Sequence, residues 1–310
     1  MIVVAGEALM DVFVTGDTDE GVALDARIGG SPFNVAIGLA RLRQPVAFLG
    51  SIARGRLGER LLGALTAEGV NVSCVQRLAA PTTLSLVAID AAGVPEYAFY
   101  GSGTADRQLS LEALDSLPAT THTIHVGSYA TVALPVADTL EVLIEREHRK
   151  RLISYDPNVR LNVEPNLEYW RTKFEWMLTR THLLKVSVED AELLYPGIPM
   201  EQLGSLWRDA GVAVVIVTRG EKGATGWCVG GSVDIPAAPA TIVDTVGAGD
   251  SFQSSLLTWF AERELLNPLQ LRKLEVRELK EAMHFAATAA ALTCSRRGAD
   301  LPQRAELSKQ

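Results

Sequence analysis

The segment Asp244-Thr245-Val246-Gly247-Ala248-Gly249-Asp250-Ser251-Phe252 carries the sharpest chemical signal in the chain, and a helical run from Ser254 to Glu262 follows it. Small residues at 247, 248 and 249 let the backbone turn tightly into that helix with its N–H groups unobstructed. A helix start carries unpaired N–H donors and the positive end of the dipole, which together hold an anion. Asp250 falls within the first turn. Its ordinary role would be a helix-capping carboxylate. Beside an anion cradle, the same carboxylate could take the proton of a hydroxyl that attacks a phosphoryl group. Base and anion hole together are what phosphoryl transfer needs.

Other phosphate-binding patterns are absent. No G-x-x-x-x-G-K-[ST] occurs, and Gly220-Glu221-Lys222-Gly223 has the wrong spacing for one. No G-x-G-x-x-G follows the first apolar run, which disfavours a dinucleotide site, and the protein-kinase H-R-D and D-F-G strings are missing.

The elements that position the signal are those of a large globular chain. The 310 residues suit one large domain or two small ones, and 47% are apolar against 21% charged. With 29 Lys and Arg against 37 Asp and Glu, the formal net charge is −8. Nucleic acid is therefore not the expected partner, because phosphate contacts need a basic face. An anionic small ligand remains compatible, since a few local N–H groups outweigh the global sign. Cys74, Cys228 and Cys294 lie far apart with no C-x-x-C, so reduced core thiols are expected. Residues 1–11 hold no basic region and only a short apolar run, so no signal peptide is expected. The weakly polar stretch Phe285 to Cys294 falls short of the ~18 residues of a membrane span. The expectation is a soluble, cytoplasmic protein.

Short β-branched runs alternate with helical patterns. Ile2–Ala5, Val46–Leu49, Thr123–Val126, Leu152–Tyr155, His182–Lys185 and Val212–Thr218 read as buried strands. Asn34–Leu42, Leu57–Glu68, Leu134–Arg149 and Glu189–Leu194 read as helices. This alternation predicts an α/β fold with a mostly parallel sheet covered on both faces. No repeat or linker divides the chain, so a single domain over 1–310 is expected. Two stretches break the rhythm. Residues 11–27 are short, polar and turn-rich, and Thr82–Tyr100 alternates around Ala91-Ala92-Gly93 as an antiparallel hairpin would. An edge extension or a ligand-covering lid would each explain them.

Together with Gly29-Gly30-Ser31-Pro32-Phe33-Asn34-Val35-Ala36, the Asp244–Asp250 motif resembles the ribokinase/pfkB carbohydrate kinases over nearly the whole chain. These share G-G-x-x-x-N-x-A early and D-T-x-G-A-G-D late. The resemblance implies a ribokinase-like three-layer sandwich with a small β-sheet lid, its segments near 11–27 and 82–106. It implies Asp250 as the base, with Gly247, Ala248 and Gly249 forming the anion hole. It implies Asp11, Gly29, Gly30 and Asn34 as the groups that hold sugar hydroxyls. Read alone, the glycines would be an ordinary turn and Asn34 a helix N-cap.

For ATP the same resemblance implies Thr218, Gly220 and Gly223 in a glycine-bearing turn, Lys185 and Ser187 near the phosphates, and Ala287 at the adenine. Read alone, Lys185 is a strand-end surface charge, 218–223 a β-to-α turn and Ala287 a helix-packing residue. Asp244 and Val246, with backbone carbonyls of Thr293, Arg296 and Gly298, match a monovalent-cation site of some members. Magnesium would accompany ATP. Two departures stand out. Ser187-Val188-Glu189-Asp190 replaces N-x-x-E, and Gly55 stands where G-x-D-x-x-G carries its acid. A changed surface or subunit contact is expected at the second.

Smaller cues concern the sugar. Tyr155-Asp156-Pro157-Asn158-Val159-Arg160 resembles the D-P-N-x-R segment of fructokinases and 2-keto-3-deoxygluconate kinases. Lys185-Val186-Ser187 and Gly29–Asn34 lean towards fructokinases, with keto-acid kinases, ribokinases and nucleoside kinases behind. Arg160 would steer a phosphoryl group or a substrate carboxylate, or anchor a loop by a salt bridge. Phe99 or Tyr100 would wall the sugar. Arg107 is a second candidate cation, with Asp106 partly neutralising it. A sugar-binding regulator without turnover is the reading from another class, and a homodimer would follow from an exposed apolar lid face.

Overall fold

The computed structural model describes residues 1–89 and 95–307. Seven strands form the parallel part of a nine-stranded sheet: β1 (Ile2–Ala5), β4 (Val46–Ala53), β5 (Val75–Leu78), β8 (Thr123–Gly127), β9 (Leu152–Asp156), β10 (Leu183–Ser187) and β11 (Val214–Thr218). β12 (Ala224–Cys228) and β13 (Gly231–Ile235) extend it antiparallel at one edge. The order is β13-β12-β11-β10-β9-β8-β1-β4-β5. All six strands read from β-branched runs are present, and the sheet is mostly parallel as expected.

The period of two along each strand divides the core. Ile2 and Val4 pack with one cluster of side chains, Val3 and Ala5 with the other. The first cluster includes α1 (Ser31–Arg41), α2 (Arg56–Ala67), α7 (Ala248–Ala261) and α9 (Val276–Cys294), joined by the short α8 (Pro268–Leu271). The second includes α3 (Val136–Glu147), α4 (Leu167–Leu178), α5 (Val188–Leu194) and α6 (Met200–Asp209). Helices therefore cover both faces, which makes three layers. No described helix is long and apolar enough to cross a membrane.

A second sheet of four strands stands apart, in the order β3-β2-β6-β7. β2 (Leu9–Thr18) and β3 (Gly21–Gly29) form a long hairpin where the polar sequence read as turns. β6 (Leu84–Ile89) and β7 (Pro95–Tyr100) pair antiparallel, and β2 pairs with β6 in parallel. The Ala91-Ala92-Gly93 turn lies outside the described residues. Sheet registry cancels the low β-propensity of residues such as Asp17 and Asp25, because pairing partners outrank local preference.

Candidate functional site

Asp250 occupies the first turn of α7, and Gly247 is that helix's N-cap at φ 78. Its carboxylate does not cap its own helix. Oδ1 accepts from Ser31 Oγ at 2.6 Å and Oδ2 from Asn34 Nδ2 at 2.8 Å. Both donors lie in the first turn of α1, so Asn34 is not the N-cap of that helix; Gly30 is. Burial pushes the Asp250 carboxyl above its ordinary value, while Ser31, Asn34 and then the Lys185 charge pull it back. The result is a sequestered carboxylate with a moderated proton affinity.

The glycines beside it have separate reasons. A Cβ at Gly247 would come 2.9 Å from Ala299 Cα, and one at Gly249 would come 3.0 Å from Lys185 Nζ. Lys185 is therefore at the mouth of the helix, 4% exposed rather than on the surface, and its Nζ donates to Asp156 Oδ2 at 2.7 Å. Burial alone would lower the Lys185 pKa, but the Asp156 carboxylate outweighs it and the net direction is up. The cradle differs from expectation in one donor. Ala248 N–H is spent on Thr245 O, whereas the N–H groups of Gly247, Gly249 and Asp250 have no acceptor among the described residues. Ala248 contributes its small size, not a hydrogen bond.

A cavity of about 670 Å³ opens over Asp250. The small sheet lines it with alternate residues: Asp11 and Phe13 on β2, Ser85 and Val87 on β6, Phe99 on β7. Cross-strand register aligns them, Asp11 with Ser85 and Ser85 with Phe99. The same period turns Tyr100 away; it is 59% exposed and does not line the cavity, so only Phe99 of the two candidates reaches it. A Cβ at Gly29 would meet Asp11 Oδ2 at 2.2 Å, and Gly30 carries φ 106. The pair is a strand-to-helix junction built around Asp11, not a free turn. Burial raises the Asp11 pKa, opposed by its hydrogen bond from Ser85.

Arg160 lines the cavity, with Nη1 donating to Val159 O at 2.9 Å and no ion pair among the described residues. Arg107 does not line it. Its guanidinium lies 5.3 Å from the Phe99 ring centre and 5.7 Å from that of Tyr129, behind the wall. Asp106 does not offset that charge directly either, because it accepts from Thr83 and from Tyr129 Oη.

The remaining candidates, Val246 excepted, lie apart from the cavity lining. Ser187 caps α5 by accepting from Asp190 N at 3.0 Å. Thr218 pairs with Ser187 across β10 and β11, two residues along from Lys185. The 218–223 turn connects two antiparallel strands, so it is β-to-β, not β-to-α; Gly220 is exposed and Gly223 buried. Ala287 is half-buried on α9 against the core. Asp244 Oδ1 accepts from Val246 N at 3.1 Å and Oδ2 from Gly298 N at 2.8 Å, which joins the loop before α7 to the end of α9. Thr293 O accepts the backbone N–H groups of Arg296 and Ser295, and Gly298 O accepts that of Asp300. Gly55 is the exposed N-cap of α2 and does not reach the cavity.

Sequence patterns assign no site role to Glu7, Ser31, Ser128, Tyr129, Asp156 or Asn158, all of which line the cavity, although Ser31, Asp156 and Asn158 fall inside the motifs that carry the resemblance. The alternation of Asp156, Asn158 and Arg160 at the end of β9 was the available signal for two of them. Among the described residues no group of three or more His, Cys, Asp or Glu is placed to hold a metal ion.

Comparison with known proteins places the chain in a family and a fold. The family described as pfkB family carbohydrate kinase matches residues 1–306. A fructokinase of Rhizobium leguminosarum bv. trifolii is 33% identical over 282 residues, covering 90% of this chain and 86% of that protein. Fructokinase-1 of Oryza sativa subsp. japonica is 31% identical over 100% of this chain and 97% of its own. The fructokinase of Xylella fastidiosa with bound ATP superposes with TM-score 0.89 at 23% identity, covering 99% of this chain and 96% of that one. A double mutant of the Vibrio cholerae O395 fructokinase, solved with fructose, ADP and potassium ion, gives 0.83 at 23% over 99% and 96%. These two likenesses carry the ribokinase-like fold; the sequence matches carry the family. From residue 1 to residue 306, this chain belongs to the pfkB family of carbohydrate kinases.

Proposed function

We propose that this carbohydrate kinase transfers the γ-phosphoryl of ATP to a primary hydroxyl of fructose. The observation that carries the reading is the carboxylate of Asp250, held by Ser31 and Asn34 between two open helix N–H groups and a polar cavity. Asp250 takes the hydroxyl proton, the alkoxide oxygen forms the new bond to the γ-phosphorus, and the bond to the bridging oxygen of ADP breaks. Charge that builds on the phosphoryl oxygens meets Gly247 N–H, Gly249 N–H, Asp250 N–H and Lys185. Asp11, Gly29, Gly30 and Asn34 form the sugar-holding surface of the proposal, with Phe99 as its apolar wall. On the nucleotide side we assign Thr218, Gly220, Gly223, Ser187 and Ala287.

Magnesium belongs to the proposal with ATP. Asp156 Oδ1 is buried without a partner beside Lys185, and Asp190 is a second buried carboxyl. Two carboxylates and substrate phosphates suit magnesium, which keeps several waters. When bound, the ion would neutralise phosphate charge. Potassium is assigned to the loop around Asp244 and the carbonyls of Val246, Thr293, Arg296 and Gly298. We further propose one kinase domain with 11–27 and 82–106 as its lid, a cytoplasmic location, and a homodimer that covers the exposed Val22, Leu24 and Tyr100.

Fructose is favoured over a keto acid by the cavity's charge. Of two candidate arginines only Arg160 lines it, against Asp11 and Asp250, with Lys185 already paired to Asp156. The test is ADP production with Mg-ATP and each of fructose, 2-keto-3-deoxygluconate, ribose and adenosine. Sugar binding without any turnover would instead mark a regulator.

A further inference from the structure

Glu7 is a buried acid that the proposed reaction leaves unused. It follows β1, and Ser128 follows β8; these adjacent parallel strands flank the point where the strand order reverses. Ligands of open α/β sheets bind outside the carboxyl ends of strands at such a point. The local backbone is built for that placement. Gly6 has φ 153, and a Cβ there would meet Pro32 Cγ at 2.5 Å, so the turn into Glu7 is pressed against the start of α1. Ser128 has φ 57, a left-handed conformation that serine adopts at a cost. Its hydroxyl lies beside the Glu7 carboxyl and opposes the rise of that carboxyl's proton affinity.

One oxygen of that carboxyl is left over. Glu7 is 1% exposed and lines the cavity, yet Oε2 has no hydrogen-bond partner. Nearly all buried polar atoms are satisfied, so an orphan in a cavity wall marks where a ligand group completes the set. We propose that Glu7 contacts the sugar, its carboxyl hydrogen-bonding a sugar oxygen through the atom that no protein group satisfies. The inference rests on the sugar-kinase reading above and adds a specificity-determining residue to it.

The charges around Glu7 decide which hydrogen bond it makes. Asp106 approaches from the turn after β7, Tyr129 from the turn after β8 and Arg160 from the loop after β9; Asp11, Asp250 and Lys185 also line the cavity. Burial pushes the carboxyl up to about 8, with Asp106 adding to the rise and Ser128 and Arg160 opposing it. At neutral pH the group is an acid and donates; a carboxylate only accepts. A protonated donor suits a neutral polyhydroxy ligand and adds no charge against it.

The experiment measures sugar affinity by calorimetry without ATP. Wild-type protein is titrated first with fructose, 2-keto-3-deoxygluconate, ribose and adenosine, and the tightest binder becomes the probe. A wrong substrate assignment then shows at this first step and leaves the Glu7 test intact. Glu7→Ala is expected to weaken the probe roughly ten-fold or more, the scale for stranding a buried polar partner, with ATP affinity unchanged. Glu7→Gln keeps the size and a donor, so its affinity should stay within about three-fold of wild type by the same measure. Wild-type affinity should fall as pH rises from 7 to 9, and that of Glu7→Gln should not; this readout needs no alanine variant to fold. Unchanged affinity in Glu7→Ala, sugar and ATP affinities falling together, or a flat wild-type pH dependence overturns the proposal.

Discussion

Asn34 Nδ2 donates to Asp250 Oδ2 at 2.8 Å, and one helical turn further along both helices a Cβ at Gly38 would lie 2.4 Å from Ser254 Oγ. The two facts are one relationship. Helices α1 and α7 cross closely because position 38 has no side chain, and that approach lets an amide on one reach a carboxylate on the other. Packing thus sets the orientation of the proposed base.

Gly38→Ala tests the crossing. The added Cβ would also meet Leu301 Cδ2 at 2.5 Å and Ser254 Cβ at 2.8 Å, so α1 must shift. Overpacking of this kind costs about 1–3 kcal/mol. We expect a lowered Tm and, in the folded fraction, a several-fold drop in kcat with little change in KM for ATP. Unchanged kcat would show that the Asn34–Asp250 contact tolerates a wider crossing.

Asp250→Asn keeps the volume, still accepts from Asn34 Nδ2 and can donate its new amide to Ser31 Oγ, but removes the proton acceptor. Turnover should fall by at least ~10²-fold, the usual scale for loss of a general base, while ATP binding barely moves. The base acts when ionised, and burial raises its proton affinity. Wild-type kcat should therefore fall as pH drops through that raised value, giving an acid limb above the ordinary carboxylate range. Steady-state rates from pH 4 to 8 check the limb, and near-normal activity in folded Asp250→Asn removes the assignment.

Asp190 makes a prediction about stability. Burial, then the nearby Asp156 charge, push its carboxyl up to about 6, against the pull of Arg160, Lys185 and Ser187. A carboxyl with a raised folded pKa favours the fold when protonated, so its contribution is full below the unfolded value near 3.8 and is lost as pH rises through about 6. Asn at this position keeps the oxygen that accepts from Val159 N. Asp190→Asn should thus stabilise the protein at pH 7, on the order of 2 kcal/mol, and hardly at all at pH 4. Equal denaturation midpoints for the two proteins at pH 7 would refute it.

How much of this was legible in the sequence follows from range. Strands such as Val214–Thr218 are written in their own β-branched residues, and the turn at Gly247–Gly249 in its own small ones. The hairpin from Leu9 to Gly29 was not, because its polar residues are held by pairing and by Arg27, which stacks on Phe13 and bonds Asp25. Lys185 read as a surface charge because its partner Asp156 sits on a different strand. The Ser31 and Asn34 bonds to Asp250 span more than 200 residues of chain, so no local pattern announces them. Phe99 and Tyr100 were candidates of equal standing until register fixed which one faces inward.

The substrate itself is the last prediction, and it turns on charge. Fructose and 2-keto-3-deoxygluconate both offer a primary hydroxyl, so Asp250 does not separate them. The acid brings a carboxylate, for which a site should hold an unpaired cation, and a bidentate arginine fork fits best. Arg160 stands alone in that role, since Lys185 is engaged by Asp156 and Arg107 lies behind Phe99 and Tyr129. Against it the cavity presents Asp11 and Asp250. The balance opposes a second anion and suits hydroxyls. We expect fructose to give the larger kcat/KM, and added salt to change that value little, because screening acts on charged ligands. Arg160→Ala should then affect fructose by less than about ten-fold, the loss of one polar contact. Should the keto acid prove the better substrate, and lose its advantage in Arg160→Ala, the assignment of the sugar reverses while the kinase chemistry at Asp250 stands.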